Sequence, residues 1–124
     1  MNINLGLKLW STNKDLIVNA KKLIIGDIFQ YIELTPIPGT SLEPFLDLKI
    51  PYIIHITTEN NGLNISDPSK IQLNLELINE CIFWADKLKA KYLILHPGYG
   101  SIENALDFLD NIGDKRILIE NMPK

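Results

Sequence analysis

The sequence lacks several things that would narrow its function at once. It has one cysteine, Cys81, so no disulfide can form within the chain, and a reducing intracellular setting, the cytoplasm, is the simpler expectation. No apolar run approaches the roughly 20 residues of a membrane span. The start, MNINLGLKLW, has neither the charged region nor the cleavage site of a signal peptide. There is no excess of positive charge, because the formal net charge is −3. Nothing therefore advertises a nucleic-acid surface, although a local basic patch would not show in that sum. Neither the PGT at Pro38–Thr40 nor the PGYG at Pro97–Gly100 has phosphate-loop spacing or its lysine. Internal repeats and low-complexity segments are also absent.

What is present is a recurrence of short apolar runs. They are Leu5–Trp10, Tyr31–Leu34, Tyr52–Ile56, Tyr92–His96 and Arg116–Asn121. Each is rich in Ile, Leu or Tyr at successive positions, as in strands buried on both faces of a parallel sheet. Helical patterns separate them. The first is expected to begin near Thr12 with Asp15 completing a capping box, to present Leu16, Ala20, Leu23 and Ile24 on one face, and to stop at a left-handed Gly26. Thr40–Leu48 leaves room for a short helix or turn only. In the third, Asp67 is a natural N-cap, Pro68 suits the first helical position, and Leu73, Leu77, Cys81, Trp84 and Leu88 follow at helical spacing. Trp84 and Phe83 read as core, and Cys81 as inert packing. The fourth spans Ser101–Ile112, ended by Gly113. The stretch Thr57–Ser66, TTENNGLNIS, reads as the longest unstructured connection.

Strands alternating with helices imply a parallel sheet with right-handed crossovers. A complete (β/α)8 barrel needs about 250 residues, and this chain has 124. The expected fold class is α/β, a parallel (β/α) half-barrel. Residues 1–124 read as a single partial barrel domain truncated on its C-terminal side.

In parallel α/β folds, chemistry sits at the C-terminal ends of the strands. The third run ends at His55, the fourth at His96-Pro97-Gly98, and the fifth at Glu120-Asn121. Both histidines of the sequence and a glutamate thus finish three consecutive strands. A lone histidine at a strand end is more often structural than a ligand, but three metal-competent groups on neighbouring strands shift that balance. Two imidazoles and a carboxylate form a common zinc shell that leaves a position open. Glu120 follows Ile117, Leu118 and Ile119, and a cation would offset the cost of burying its charge there. Glu33, ending the second run, is a candidate substrate contact or a solvated loop-end carboxylate. Asn121 and Tyr99 are either substrate contacts or turn residues, and turns are favoured.

The segments IIHITTENNGLNISDPS, LILHPG and ILIENMP together resemble the endonuclease IV and xylose isomerase-like TIM-barrel superfamily, the AP endonuclease family 2 type. The resemblance spans nearly the whole chain as the first five strands of that barrel. It implies that His55, followed by an Asn-rich loop with Asn64 and by Pro68, His96 of the HPG, and Glu120 of the EN pair are metal ligands. In endonuclease IV these positions hold one zinc of a three-zinc cluster, completed by later strands. On this resemblance the chain is expected to derive from a zinc phosphodiesterase acting on abasic-site DNA, with Glu120 as its catalytic metal bridge. The first run, LGLKLW, departs from endonuclease IV, and the second, YIEL, is closer to the sugar isomerase and epimerase branch. That branch implies Mn or Mg held mainly by Glu120, a small sugar as substrate, and histidines that contact sugar hydroxyls. The third alternative is an inactive half-barrel. Two open sheet edges imply a homodimer, and 124 residues alone are not expected to turn over substrate.

Overall fold

The structure is a computed structural model and describes residues 2–122. Five strands form one parallel sheet in the order β1-β2-β3-β4-β5. They are β1 (Gly6–Trp10), β2 (Tyr31–Thr35), β3 (Tyr52–His55), β4 (Leu93–Leu95) and β5 (Ile117–Ile119). Helices α1 (Ile17–Ile25), α2 (Glu43–Leu46), α3 (Ile71–Leu88) and α4 (Ile102–Ile112) connect them. The order runs without reversal around β1, which excludes a doubly wound sheet. The architecture is the α/β half-barrel expected from the sequence.

The two faces of the sheet differ in what covers them. Leu9, Ile32, Leu34, Ile54, Leu93 and Leu95 are buried on the helix side. Side chains alternate along a strand, so Lys8, Glu33, Ile53, Ile94 and Leu118 fall on the other face, where all are at least partly exposed. Most of the helix-side cover comes from α3, whose Leu77, Ile78, Cys81, Trp84 and Ala85 are buried. Trp84 meets Phe45 of α2 with ring centroids 6.1 Å apart, and the Tyr52 hydroxyl donates to the Phe45 carbonyl at 2.7 Å. Burial pushes the Cys81 thiol up to about 12, so it is protonated and inert at neutral pH, as its place in the helical pattern suggests.

Several local expectations are met. Asp67 caps the turn that opens α3 by accepting from the Ser69 amide at 2.9 Å, with Pro68 beside it. Ser101 caps α4 and Gly113 closes it. Others are corrected. Thr12 caps nothing. Instead Asn13 accepts from the Trp10 amide at 2.8 Å, a 3-10 turn fills Lys14–Leu16, and α1 starts at Ile17. A turn closed by its own Asn removes the need for the capping box. Gly26 is not left-handed (φ −75°), and the left-handed residue is Asp27 (φ 56°). The Ile28 amide returns to the Leu23 carbonyl at 2.9 Å, so the C-terminal motif falls one residue later, on an Asp that tolerates that conformation. Leu16 and Leu73 are exposed, and Phe83 lies on the solvent side of α3 beneath Lys87 Nζ at 5.5 Å. Phe83 is therefore not core.

Candidate metal centre

His55 is the last residue of β3 and is buried, with 6% of its surface exposed. Its Nδ1 lies 2.9 Å from the Ile56 carbonyl. A carbonyl only accepts, so Nδ1 carries the proton and Nε2 keeps its lone pair. Burial, the largest influence, lowers the His55 pKa from its ordinary value. The Ile56 carbonyl opposes that shift, and charge on Lys8 adds to it. The ring is thus held in the neutral form that binds cations.

His96 follows β4 directly. Its ring stands edge-on to that of His55, with centroids 4.8 Å apart. Glu120 follows β5 and reaches both imidazoles: His96 Nε2 lies 3.3 Å from its Oε1, and His55 Nε2 lies 3.8 Å from its Oε2. One donor atom from each of the three residues falls within 4.8 Å of the others. Ligand atoms bound at about 2.0–2.2 Å to a single tetrahedral ion sit about 3.3–3.6 Å apart. The two separations from Glu120, 3.3 and 3.8 Å, are close to that spacing, and the whole set fits within 4.8 Å. Two nitrogens and a carboxylate oxygen, with the His55 tautomer fixed by the backbone, fit a divalent cation of zinc type.

The turns around this cluster are built by specific contacts. After β4 the chain passes Pro97-Gly98-Tyr99-Gly100 close against the loop that follows β3. The Ser66 hydroxyl donates to the Pro97 carbonyl at 2.8 Å, the Asn64 side-chain amide to the Tyr99 carbonyl at 2.9 Å, and the Ser101 amide to the Ser66 carbonyl at 3.2 Å. Gly98 and Gly100 have φ of 79° and 145°, and a Cβ on Gly100 would stand 2.7 Å from the Ser66 carbonyl oxygen. Only glycine permits both the conformation and the approach. The PGYG segment is thus a clasp between two loops.

The stretch Thr57–Ser66, expected to be unstructured, is ordered by its own contacts. A 3-10 turn covers Glu59–Asn61, Thr57 and Ile56 are buried, and Leu63 and Ile65 are 1% and 2% exposed. Thr57 bonds Asn61, and Asn64 and Ser66 bond the backbone, which composition alone does not convey.

Beside the cluster opens a hollow of about 460 Å3, lined by Lys8, Trp10, Thr35, His55, Glu59 and His96 among others. Lys8 Nζ lies 3.2 Å from Glu33 and 5.7 Å from the centre of the Trp10 ring. Glu33 shares the face of the sheet that carries the site, and its charge reaches His55, but Lys8 holds it two residues short of the end of β2. Asn121 is exposed, and among the described residues no hydrogen bond ties it to the cluster. Lys8, Trp10 and Glu59 are not singled out by the sequence. Strand alternation places Lys8 and Trp10 on the His55 face once the pairing of β1 with β2 is known.

No protein-family model and no curated protein matches the sequence. Solved structures do match the fold. A D-tagatose 3-epimerase-like protein superposes with a TM-score of 0.66 and 21% identity, over 98% of this chain and 54% of its own. Endonuclease IV from Thermus thermophilus superposes with a TM-score of 0.69 and 19% identity, over 97% of this chain and 52% of its own. The chain thus spans about half the length of each of these structures and shares their fold over that span. The class defined by fold and site together is a parallel (β/α) half-barrel with a candidate metal centre at its strand ends.

Proposed function

We propose that His55, His96 and Glu120 hold a divalent cation, zinc by their donor set, and that the parent activity is phosphodiester hydrolysis at abasic sites in DNA. The observation that carries the metal reading is the convergence of both imidazole Nε2 atoms on one carboxylate, at 3.3 and 3.8 Å. When bound, zinc supplies Lewis acidity toward a phosphoryl oxygen. The chain's own residues do the rest. His55, kept neutral by burial, offers a fixed lone pair. Glu120 supplies the negative charge that offsets the cation. Lys8 brings a positive charge to the same hollow, where a phosphate would stand. Endonuclease IV-like architecture supports this reading, because the same half-barrel frames that enzyme.

A second reading is favoured by one observation: the Lys8–Glu33 pair and the exposed Trp10 ring form a polar wall with an aromatic rim beside the cluster. Such a wall suits a small polyhydroxylated substrate, and a D-tagatose 3-epimerase-like protein shares the fold. In that case Glu120 holds the metal and the histidines contact hydroxyls. Zinc titration by calorimetry separates the readings. On the first, His55→Ala, His96→Ala and Glu120→Gln each abolish tight zinc binding. On the second, only Glu120→Gln does. A wild-type chain that binds no divalent metal sinks both. With abasic-site duplex and ketose offered side by side, turnover by these residues alone is not expected, because productive geometry demands placement within about 0.5 Å and the chain spans half the neighbours' lengths.

The same reading includes association with a second copy. Leu118 and Ile119 are 48% and 50% exposed, and β1 and β5 each have one unpaired edge among the described residues. Covering such surface is worth about 25 cal/mol per Å2, and a two-fold dimer is the common arrangement. Sedimentation at micromolar concentration tests it, and a stable monomer counts against it.

A further inference from the structure

Each imidazole of the cluster has a second nitrogen, and the two are treated differently. His55 Nδ1 has the Ile56 carbonyl at 2.9 Å. His96 Nδ1 is shut off from solvent and has no hydrogen-bond partner among the described residues. An unpaired buried polar atom is costly and rare. A candidate partner is the Glu59 carboxylate, whose Oε2 lies 3.7 Å away. That distance is too long for a hydrogen bond, and about 1 Å beyond the 2.7–2.9 Å of a charge-assisted one. Glu59 is half exposed, so rotation of its side chain is free to close the gap.

The backbone beneath Glu59 is not free. Gly62 and Asn61 donate their amides to the carbonyls of Glu59 and Thr58, each at 2.9 Å, and the Thr57 hydroxyl donates to Asn61 Oδ1 at 2.7 Å. Downstream, Leu63 and Ile65 anchor the loop in the core. Asn74, itself 1% exposed, clamps Asn64 by accepting from its backbone amide at 2.9 Å and donating to its carbonyl at 2.7 Å. A loop fixed at this many points presents one carboxylate, and it presents it to the orphaned nitrogen of His96.

We infer that Glu59 is the positioning residue of His96: its carboxylate accepts the Nδ1 proton and so holds Nε2 toward the cation. A histidine ligand that donates its other N–H to a carboxylate is more basic and fixed in orientation. His55 achieves the orientation through the backbone and His96 through Glu59. A surface ion pair with a protonated His96 would contribute little and would leave the buried nitrogen unexplained in the neutral ring. The inference rests on the metal reading of His55, His96 and Glu120, and its test separates the two.

Zinc is titrated into the wild-type chain, Glu59→Ala, Glu59→Gln and Glu120→Gln. Glu59→Ala is expected to weaken zinc binding roughly 10–100-fold, the usual cost of losing such a partner. Glu59→Gln should stay closer to wild type, because its amide oxygen accepts the same proton. Without zinc, Glu59→Ala should melt as wild type does, since the side chain supports no core contact. In the zinc-loaded wild type, the His96 Nδ1 proton should give a protected NMR resonance that Glu59→Ala removes. Unchanged affinity in Glu59→Ala overturns the inference. So does equal loss in the alanine and glutamine variants, which would make the charge itself, as a direct ligand, the active feature. If the wild type binds no zinc while Glu120→Gln behaves identically, the metal centre fails and this inference with it.

Discussion

β3 and β5 are both short apolar strands of the same parallel sheet, yet their surroundings are opposite. On the helix side of the sheet, Ile54 is fully buried under α3, whereas Ile119 is half exposed. Ile117 at the start of β5 still packs against the core, but the cover gives out by Ile119. Apolar composition made both strands, and the presence of a covering element decided which became core. The site straddles the difference. Its two imidazoles stand on or beside well-covered strands, where β3 and β4 pair through Ile54↔Leu93 and His55↔Ile94. Its carboxylate stands on the bare edge. The imidazole half is prearranged by packing, and Glu120 is held only by the strand and by what it binds.

That contrast is open to attack, beginning where the effect is greatest. Ile54→Ala should cost about 2–5 kcal/mol by denaturant unfolding, the range for a buried aliphatic truncated to alanine. Next is the metal. Glu120→Gln should reduce zinc affinity by more than the roughly 10–100-fold typical of an outer partner, with little change in metal-free stability, because the edge strand lends Glu120 no packing. A large loss of stability there would mean that the carboxylate, too, is structural. Smaller is the link from α3 to the start of β5, where Arg116 donates to Asp86 at 2.8 Å and to Asp114 at 2.7 Å. Arg116→Ala should cost about 1 kcal/mol or less, as half-exposed pairs do.

The same link carries a pH signature. Hydrogen bonds from Arg116 hold the Asp114 carboxyl below its ordinary value of 3.8. The folded state therefore binds fewer protons than the unfolded one below that value. The contribution is whole above pH 3.8, and is lost as pH falls through the depressed folded value. Acid melts should show this loss in wild type and not in Arg116→Ala. Smallest of all, Ile119→Ala should stay within about 0.5 kcal/mol, the range for surface changes. A core-sized cost at Ile119 would break the contrast and show that a second copy covers the edge.

The strands and their order are legible because buried parallel strands are apolar at every position, a signal that survives without knowing the partners. His55, His96 and Glu120 are legible because strand ends are where such a fold places its polar groups. Glu59 is not, because its role comes from a 3-10 turn fixed by Thr57, Asn61 and Asn74, and a run of Asn and Thr reads the same whether solvated or mutually bonded. Phe83 is misread as core because a single residue step, about 100° around the helix, carries Phe83 and Trp84 to different sides, and hydrophobicity alone does not choose between them. Glycine is the commoner left-handed residue, so the sequence points to Gly26 as the stop of α1, and Asp27 takes that place in the structure.

The two tryptophans of the chain are spectroscopic opposites. Trp84 is 2% exposed in the α3 core, and Trp10 is 47% exposed on the rim of the hollow. Emission from the first belongs to the blue, is sheltered from aqueous quenchers, and follows global unfolding. Emission from the second is red-shifted, open to iodide or acrylamide, and answers to whatever enters beside His55 and His96. A single replacement of either ring therefore turns the protein's own fluorescence into a separate gauge of folding or of occupancy, with no dye attached.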